Sequence, residues 1–412
     1  MSTAKQRGLA TASTADGMLA VLAIDHRDSL RVAMNPKAPD SVDPADITAF
    51  KLDVIRELAP FASAVMLESE YSLPQAIDSE ALPGNVGFLA ALESQGYLSD
   101  PAAGPTTFMP DFSAADAKRI GASAAKLLLH YNPRHAEHAE QQRAVVVEAV
   151  KRCTAADIPL FLEPMHFDVQ NPDDYRSMVL GAAKDLGHLG ADILKMPFPI
   201  DPSIEDEDVW VEACAELDDA CPVPWALLSA GVPFQQFAGQ LRVAAQAGCS
   251  GFMVGRALWR EALAVDGEER IQTLRELCRP RFLDLQQIAR RQQRSWDAPD
   301  GVDQKDGDGD VGLIRWFGVR SFFRHDEINR FEERVVLVSA PTAELAMEKG
   351  EVEAVGYADE YDTEFLGAVQ GYEMSAADWV TGVGLIDGLE VFSLMREIEG
   401  SVDDYLATFT GE

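Results

Sequence analysis

Between residues 19 and about 260 the sequence repeats one pattern eight times, a short apolar run followed by a helical stretch. The runs cover residues 19–25, 62–68, 106–110, 124–131, 159–165, 191–197, 225–231 and 251–256. Most lack polar alternation, which is the mark of strands covered on both faces by helices in a parallel sheet. Amphipathic stretches at 46–58, 88–94, 140–155 and 234–247 supply the intervening helices, with Pro44 at one entry and Gly248 at one exit. Eight strand–helix units in roughly 250 residues predict a (β/α)₈ barrel in the α/β class rather than an open doubly wound sheet. The third run is the least regular, because residues 99–110 are rich in Pro, Gly and Thr.

Polar residues fall at the C-terminal ends of these runs: Asp25, Glu68, Lys126, Glu163, Lys195, Ser229 and Arg256. That end is where barrels of this kind build their active sites. Lys195 stands out, since it interrupts the apolar stretch Ala191-Asp192-Ile193-Leu194-Lys195-Met196. An unpaired ammonium there would be expensive to desolvate. A lowered pKa would leave a neutral amine able to form a Schiff base with a carbonyl substrate. The plain alternative is a strand-end lysine whose head reaches water.

Lys126, Glu163 and Lys195 lie 37 and 32 residues apart, one strand–helix unit each, so a closed barrel brings them together. A second ammonium would lower the pKa of Lys195, and a carboxylate between two lysines is suited to shuttling protons during carbinolamine dehydration. Asp25, on the first strand, is placed to orient a substrate hydroxyl or accept its proton. An internal salt bridge is the competing reading of Lys126 and Glu163. The seventh and eighth strands end in Leu228-Ser229-Ala230-Gly231 and Gly255-Arg256. Loops after these strands commonly hold a phosphate through exposed backbone N–H groups, with Arg256 as an added cation. A zinc site at His130, His135 and His138 lacks a carboxylate or thiolate at ligand spacing, so no metal and no cofactor are expected.

The formal net charge of −33 argues against a nucleic-acid partner, which needs clustered Lys and Arg. No apolar stretch near the N-terminus is long enough to span a bilayer, and residues 1–17 lack a signal-peptide pattern. Cys153, Cys214, Cys221, Cys249 and Cys278 have no C-x-x-C spacing. Free thiols in a reducing cytoplasm, with no membrane partner, are the expectation.

The barrel is expected over residues 1–296, followed by an acidic Asp/Gly linker at 297–312 that lacks the glycine and glutamate positions of a calcium loop. Residues 313–412 read as a small α+β domain with 7 basic and 21 acidic residues. Its expected strands lie at 314–323, 334–340, 365–372 and 389–394, its helices at 342–357 and just after residue 401.

The segments Leu22-Ala23-Ile24-Asp25-His26-Arg27, Glu68-Ser69-Glu70-Tyr71, Ala125-Lys126-Leu127-Leu128, Phe161-Leu162-Glu163-Pro164, Asp192-Ile193-Leu194-Lys195, Leu228-Ser229-Ala230-Gly231-Val232 and Gly255-Arg256-Ala257-Leu258-Trp259 occur in one order. In them the chain resembles the class I aldolases of the tagatose-1,6-bisphosphate aldolase family and the related sulfofructose-phosphate aldolase. The resemblance implies a homo-oligomeric enzyme that cleaves a phosphorylated ketose to dihydroxyacetone phosphate and an aldehyde. It makes Lys195 the Schiff-base lysine, Glu163 the acid/base and Lys126 its cationic neighbour. Asp25 and Arg27 would contact substrate, and Ser229, Ala230, Gly231, Gly255 and Arg256 would hold the phosphate. His26 replaces the usual Gln, and Glu68-Ser69-Glu70-Tyr71 replaces Asp-Pro-Glu-Tyr, both near the distal end of the sugar. Phosphate, sulfonate and hydroxyl at C6 stay open on this reading. Residues 331–334 and 388–394 resemble a small family of unknown function. The rival functions are a sugar-phosphate sensor or scaffold and, behind it, a zinc-dependent aldolase.

Overall fold

The computed structural model describes residues 1–94, 100–290, 294–297, 315–325, 330–340, 343–361, 363–373 and 390–396. It divides into two compact units, Met1–Asp300 and Gly301–Glu412, taken in turn.

The first unit is a closed barrel of eight parallel strands in sequential order: β1 Leu19–Ala23, β2 Ala64–Leu67, β3 Gly87–Ala91, β4 Ala124–His130, β5 Leu160–Met165, β6 Ile193–Met196, β7 Trp225–Leu228 and β8 Gly251–Val254. Closure comes from β8 pairing with β1, with Leu19 beside Gly251. Gly251 has φ +129, and a Cβ there would meet the Leu19 carbonyl oxygen at 2.1 Å, so only glycine fits the seam.

Because successive strand residues point to opposite faces, every strand sorts its side chains into two cores. Leu19, Val21, Ala64, Met66, Leu89, Ala124, Phe161, Ile193, Ala226 and Met253 fill the barrel interior. Ala20, Leu22, Val65, Leu127, Leu162, Leu194 and Leu227 pack outward against the helices. The continuous apolar runs in the sequence therefore serve both faces at once. The same alternation carries each strand's last inward position to the barrel mouth, where the polar residues sit.

The helices begin and end where local chemistry dictates. Asp43 caps Pro44–Leu58 by accepting the Ala45 N–H, with proline at the first position where no N–H is needed. Gly248 closes Phe234–Ala247 in the left-handed conformation. A helix that the sequence reading omitted, Thr3–Ala12, closes the far end of the barrel. Its Leu9 and Ala12 join the interior core, and Lys5 Nζ bonds Asp192 Oδ2 at 2.8 Å.

The third unit needs correcting. Residues 88–94, read as helical, instead form β3 and its extension, and the expected strand at 106–110 is not in the barrel. Leu and Ala favour a helix locally, but the strand is fixed by tertiary pairing with β2 and β4. The 106–110 segment folds back antiparallel on the strand's end: Met109 N–H donates to Leu92 O and Ser94 N–H to Thr107 O, both at 2.8 Å. A smaller difference lies after β8, where Arg256 opens the short helix Arg256–Trp259 rather than ending the strand.

The second unit holds a four-stranded sheet of β9 Arg315–His325, β10 Arg330–Ala340, β11 Glu364–Glu373 and β12 Glu390–Arg396, in the order β11-β9-β10-β12. The helix Ala343–Tyr361 covers it, burying Ala346 against Phe317, Val319 and Val336. Buried Arg334 donates to both Glu353 oxygens, at 2.7 and 2.8 Å, and Glu332 bonds His325. The expected helix after residue 401 and nearly all of the acidic segment at 297–312 lie outside the described residues.

Candidate active site

Period two on β4, β5 and β6 turns Lys126, Glu163 and Lys195 inward, above the apolar layer of Ala124, Phe161 and Ile193. All three side chains are buried. Glu163 stands between the two ammonium groups, with Oε1 at 2.8 Å from Lys195 Nζ and Oε2 at 3.0 Å from Lys126 Nζ. Lys126 also meets Asp25 Oδ2 and Glu93 Oε1, each at 2.7 Å. Two lysines and three carboxylates thus form one continuous ionic cluster at the mouth. Such a cluster is stable in low dielectric only while each charge keeps its partners. Burial alone would raise the Asp25 carboxyl, but Lys126 and Lys195 overcome it and hold Asp25 well below the ordinary carboxylate range.

Above the cluster lies a cavity of about 310 Å³, lined by Asp25, Glu163, Lys195, Ser229–Gly231 and Arg256 among others. Lys195 lines it, with Nζ 3.6 Å from Met66 Sδ. On one wall the β7 loop bends sharply: Ala230 has φ +45 and Gly231 φ +79. A left-handed φ at a non-glycine residue is strained, and such strain gathers at ligand-binding loops. The bend is closed by the Val232 N–H, which donates to the Ser229 carbonyl at 3.0 Å, while Ser229 Oγ accepts the Gly255 N–H at 3.4 Å. The Arg256 guanidinium lies against this bend, within 3.3 Å of where a Gly231 Cβ would be. Gly255 has the same tightness, since a Cβ there would meet His26 Cε1 at 2.8 Å.

Residues 19–261 match the family model described as DeoC/LacD family aldolase. The chain belongs to the DeoC/LacD family of aldolases. A tagatose 1,6-diphosphate aldolase of Listeria monocytogenes is 31% identical over 295 residues, covering 66% of this chain and 86% of that one. One from Streptococcus agalactiae is 31% identical over 282 residues, covering 62% and 85%. Among solved structures, fructose-bisphosphate aldolase from Slackia heliotrinireducens shares the fold at 17% identity and TM-score 0.51, covering 69% of this chain and 88% of that one. The Plasmodium falciparum enzyme does so at 12% identity and TM-score 0.53, covering 71% and 97%.

In this DeoC/LacD aldolase the residues singled out from sequence do not all reach the cavity. Arg27, read as contacting substrate, is almost wholly buried outside the cavity lining. Its Nη2 donates to the Glu93 backbone carbonyl at 2.7 Å, and Nη1 reaches Glu70 and Met109. Glu68 is likewise internal, paired with Lys51 and accepting the Glu70 and Tyr71 N–H groups. Glu93 is the functional neighbour that sequence reasoning missed: it was assigned to a helix, although Leu89, Ala91 and Glu93 keep strand spacing. Its Oε2 accepts the Leu128 N–H at 3.1 Å, tying β3 to β4. The histidines separate as well. His135 bonds Asp168 and His138 bonds the Gly104 carbonyl, whereas His130 lines the cavity. Among the described residues no three His, Cys, Asp or Glu side chains are grouped to hold a metal ion.

Proposed function

We propose that the barrel cleaves a ketose carrying a phosphate at C1, by Schiff-base chemistry at Lys195. The observation that carries this reading is the buried Lys195–Glu163–Lys126 chain, whose Lys195 and Glu163 line a cavity that the Ser229–Gly231 loop and Arg256 also line. Glu163, 2.8 Å from Lys195 Nζ, takes the ammonium proton. The freed amine adds to the C2 carbonyl, giving a carbinolamine. Glu163 returns the proton to the departing hydroxyl, and water leaves as the iminium forms. The C4 hydroxyl proton passes to Asp25 or to Glu163 through water as the C3–C4 bond breaks, and the iminium accepts the electron pair to become an enamine. Protonation at C3 and hydrolysis release dihydroxyacetone phosphate, with the aldehyde leaving first.

Lys126, held by three carboxylates, fixes Glu163 and Asp25 rather than reacting itself. The C1 phosphate lies on the Ser229–Gly231 loop with Arg256. The candidate substrates are tagatose 1,6-bisphosphate, the sugar named in the 31%-identical relatives, and 6-deoxy-6-sulfofructose 1-phosphate, which the resemblance adds. Borohydride in the presence of dihydroxyacetone phosphate traps an adduct that peptide mass mapping assigns to Lys195. Full activity in Lys195→Ala defeats the proposal.

The same proposal assigns catalysis to residues 1–296, makes 297–312 an acidic linker and gives 313–412 no part in the chemistry. It includes a cytoplasmic location, in keeping with five free cysteines, and a homo-oligomer, which sedimentation at working concentration tests. No helix among the described residues is long and apolar enough to cross a membrane.

A further inference from the structure

The cavity is chemically lopsided. In a barrel closed in the order β1 to β8, the ends of β4 and β5 lie across the mouth from the loops after β7 and β8. The β7–β8 wall carries the tight Ser229–Gly231 turn and Arg256. The opposite wall is formed by Leu128, His130, Met165 and His166. Among the described lining residues the only cations are Lys195, already paired with Glu163, and Arg256. Residues 95–99, outside the described set, contain no Lys or Arg either.

The far wall's imidazoles are uncharged at neutral pH. Burial pushes His166 down to about 4, against the attraction of Asp201, and burial likewise lowers His130. Cations from the surrounding loops are committed elsewhere. Arg134, after β4, is bonded to Asp174, and Arg27, after β1, to Glu93 and Glu70. The carboxylates that act on these rings are Glu163 on His130 and Asp201 on His166. An anionic group placed here would meet repulsion without a compensating cation, which is how a site rejects a competing ligand. A hydroxyl would find neutral imidazoles that both donate and accept hydrogen bonds. His166 Nδ1 is buried with no hydrogen-bond partner among the described residues, and its ring is held at 4.2 Å from Tyr175.

Resting on the aldolase reading above, we infer that the substrate ends in a neutral hydroxyl at its distal carbon, recognised by His130 and His166. The enzyme then acts on ketose 1-phosphates and releases an unphosphorylated aldehyde. Three C1-phosphorylated ketohexoses that differ only at C6, bearing hydroxyl, phosphate or sulfonate, are compared for cleavage by the full chain. The hydroxyl compound is expected to exceed each anionic one at least ten-fold in kcat/KM. Equal or better cleavage of either anion, with the Lys195 adduct still formed, overturns the inference and leaves the aldolase reading intact. No cleavage of any and no borohydride adduct overturns both. His166→Lys supplies the missing cation, and the ratio of bisphosphate to monophosphate kcat/KM should rise at least ten-fold. An unchanged ratio in a variant that still forms the adduct removes His166 from the distal site.

Discussion

At the scale of single residues, the site works because no charge in it is isolated. Lys195, Glu163 and Lys126 share two hydrogen-bond-length contacts, so a proton can move between lysine and glutamate without rearrangement of the side chains. On the proposed mechanism Lys195→Ala removes the nucleophile, and kcat/KM should fall by at least about 10³-fold with loss of the borohydride adduct. Glu163→Gln keeps the shape but cannot shuttle the proton, so single-turnover cleavage should slow by roughly 10²–10⁴-fold while phosphate binding persists. Glu93 has a different part. It holds Lys126 and the Leu128 N–H together, so Glu93→Ala leaves the buried Leu128 N–H without that acceptor and Lys126 with two carboxylates in place of three. Removing one member of a buried ionic set costs about 3–5 kcal/mol, and the urea midpoint of Glu93→Ala should drop accordingly.

At the scale of elements, the alternation of strand side chains decides what reaches the substrate. The convergence of Lys126, Glu163 and Lys195 was legible because the three interrupt apolar runs one strand–helix unit apart, and the barrel geometry follows from eight such runs. Glu93 was not legible, because Phe88-Leu89-Ala90-Ala91-Leu92-Glu93-Ser94 is a good local helix whose strand conformation depends on partners far along the chain. The burial of Arg27 was not legible for the same reason. Its burial depends on the Glu93 carbonyl, a neighbour 66 positions away that a helix would have pointed elsewhere. The glycine turn after β7 was legible in composition but not in its strain, since nothing in Leu228-Ser229-Ala230-Gly231 announces a left-handed alanine. Arg256→Ala tests this element. Losing a charge-assisted contact of about 1.5–3 kcal/mol should raise KM for a C1 phosphate roughly 10–100-fold and change kcat less.

At the scale of the whole molecule, acidity acts through buried groups more than through the surface charge of −33. Burial holds His26 near 3 and His166 near 4, below the ordinary histidine value of 6.5. The unfolded chain therefore binds more protons than the folded one between those values. Stability should fall as pH drops from about 6.5 toward 4. Asp25, whose carboxyl is depressed, contributes stability above its ordinary value of 3.8 that is lost on further acidification. Both effects have the same sign, and the urea midpoint at pH 5 should lie below that at pH 7.5 with an unchanged slope. The two units each own a buried core, Leu22 and Leu127 among many in one, Phe317 and Val336 in the other. Deleting residues 298–412 should leave formation of the Lys195 adduct intact, read by intact mass after borohydride.

The inward and outward sorting of strand residues also bears on how such a chain can change over time. Inserting or deleting one residue between Leu160 and Glu163 would turn Glu163 toward the helices and leave both lysines facing an apolar side chain. Strand lengths in β4, β5 and β6 are therefore nearly frozen. The loops that follow β4 and β5, 131–135 and 166–171, carry no such register constraint and can be lengthened or exchanged without turning Glu163 outward. Substrate range in this barrel can thus drift through its loops while the bond-breaking machinery stays in register.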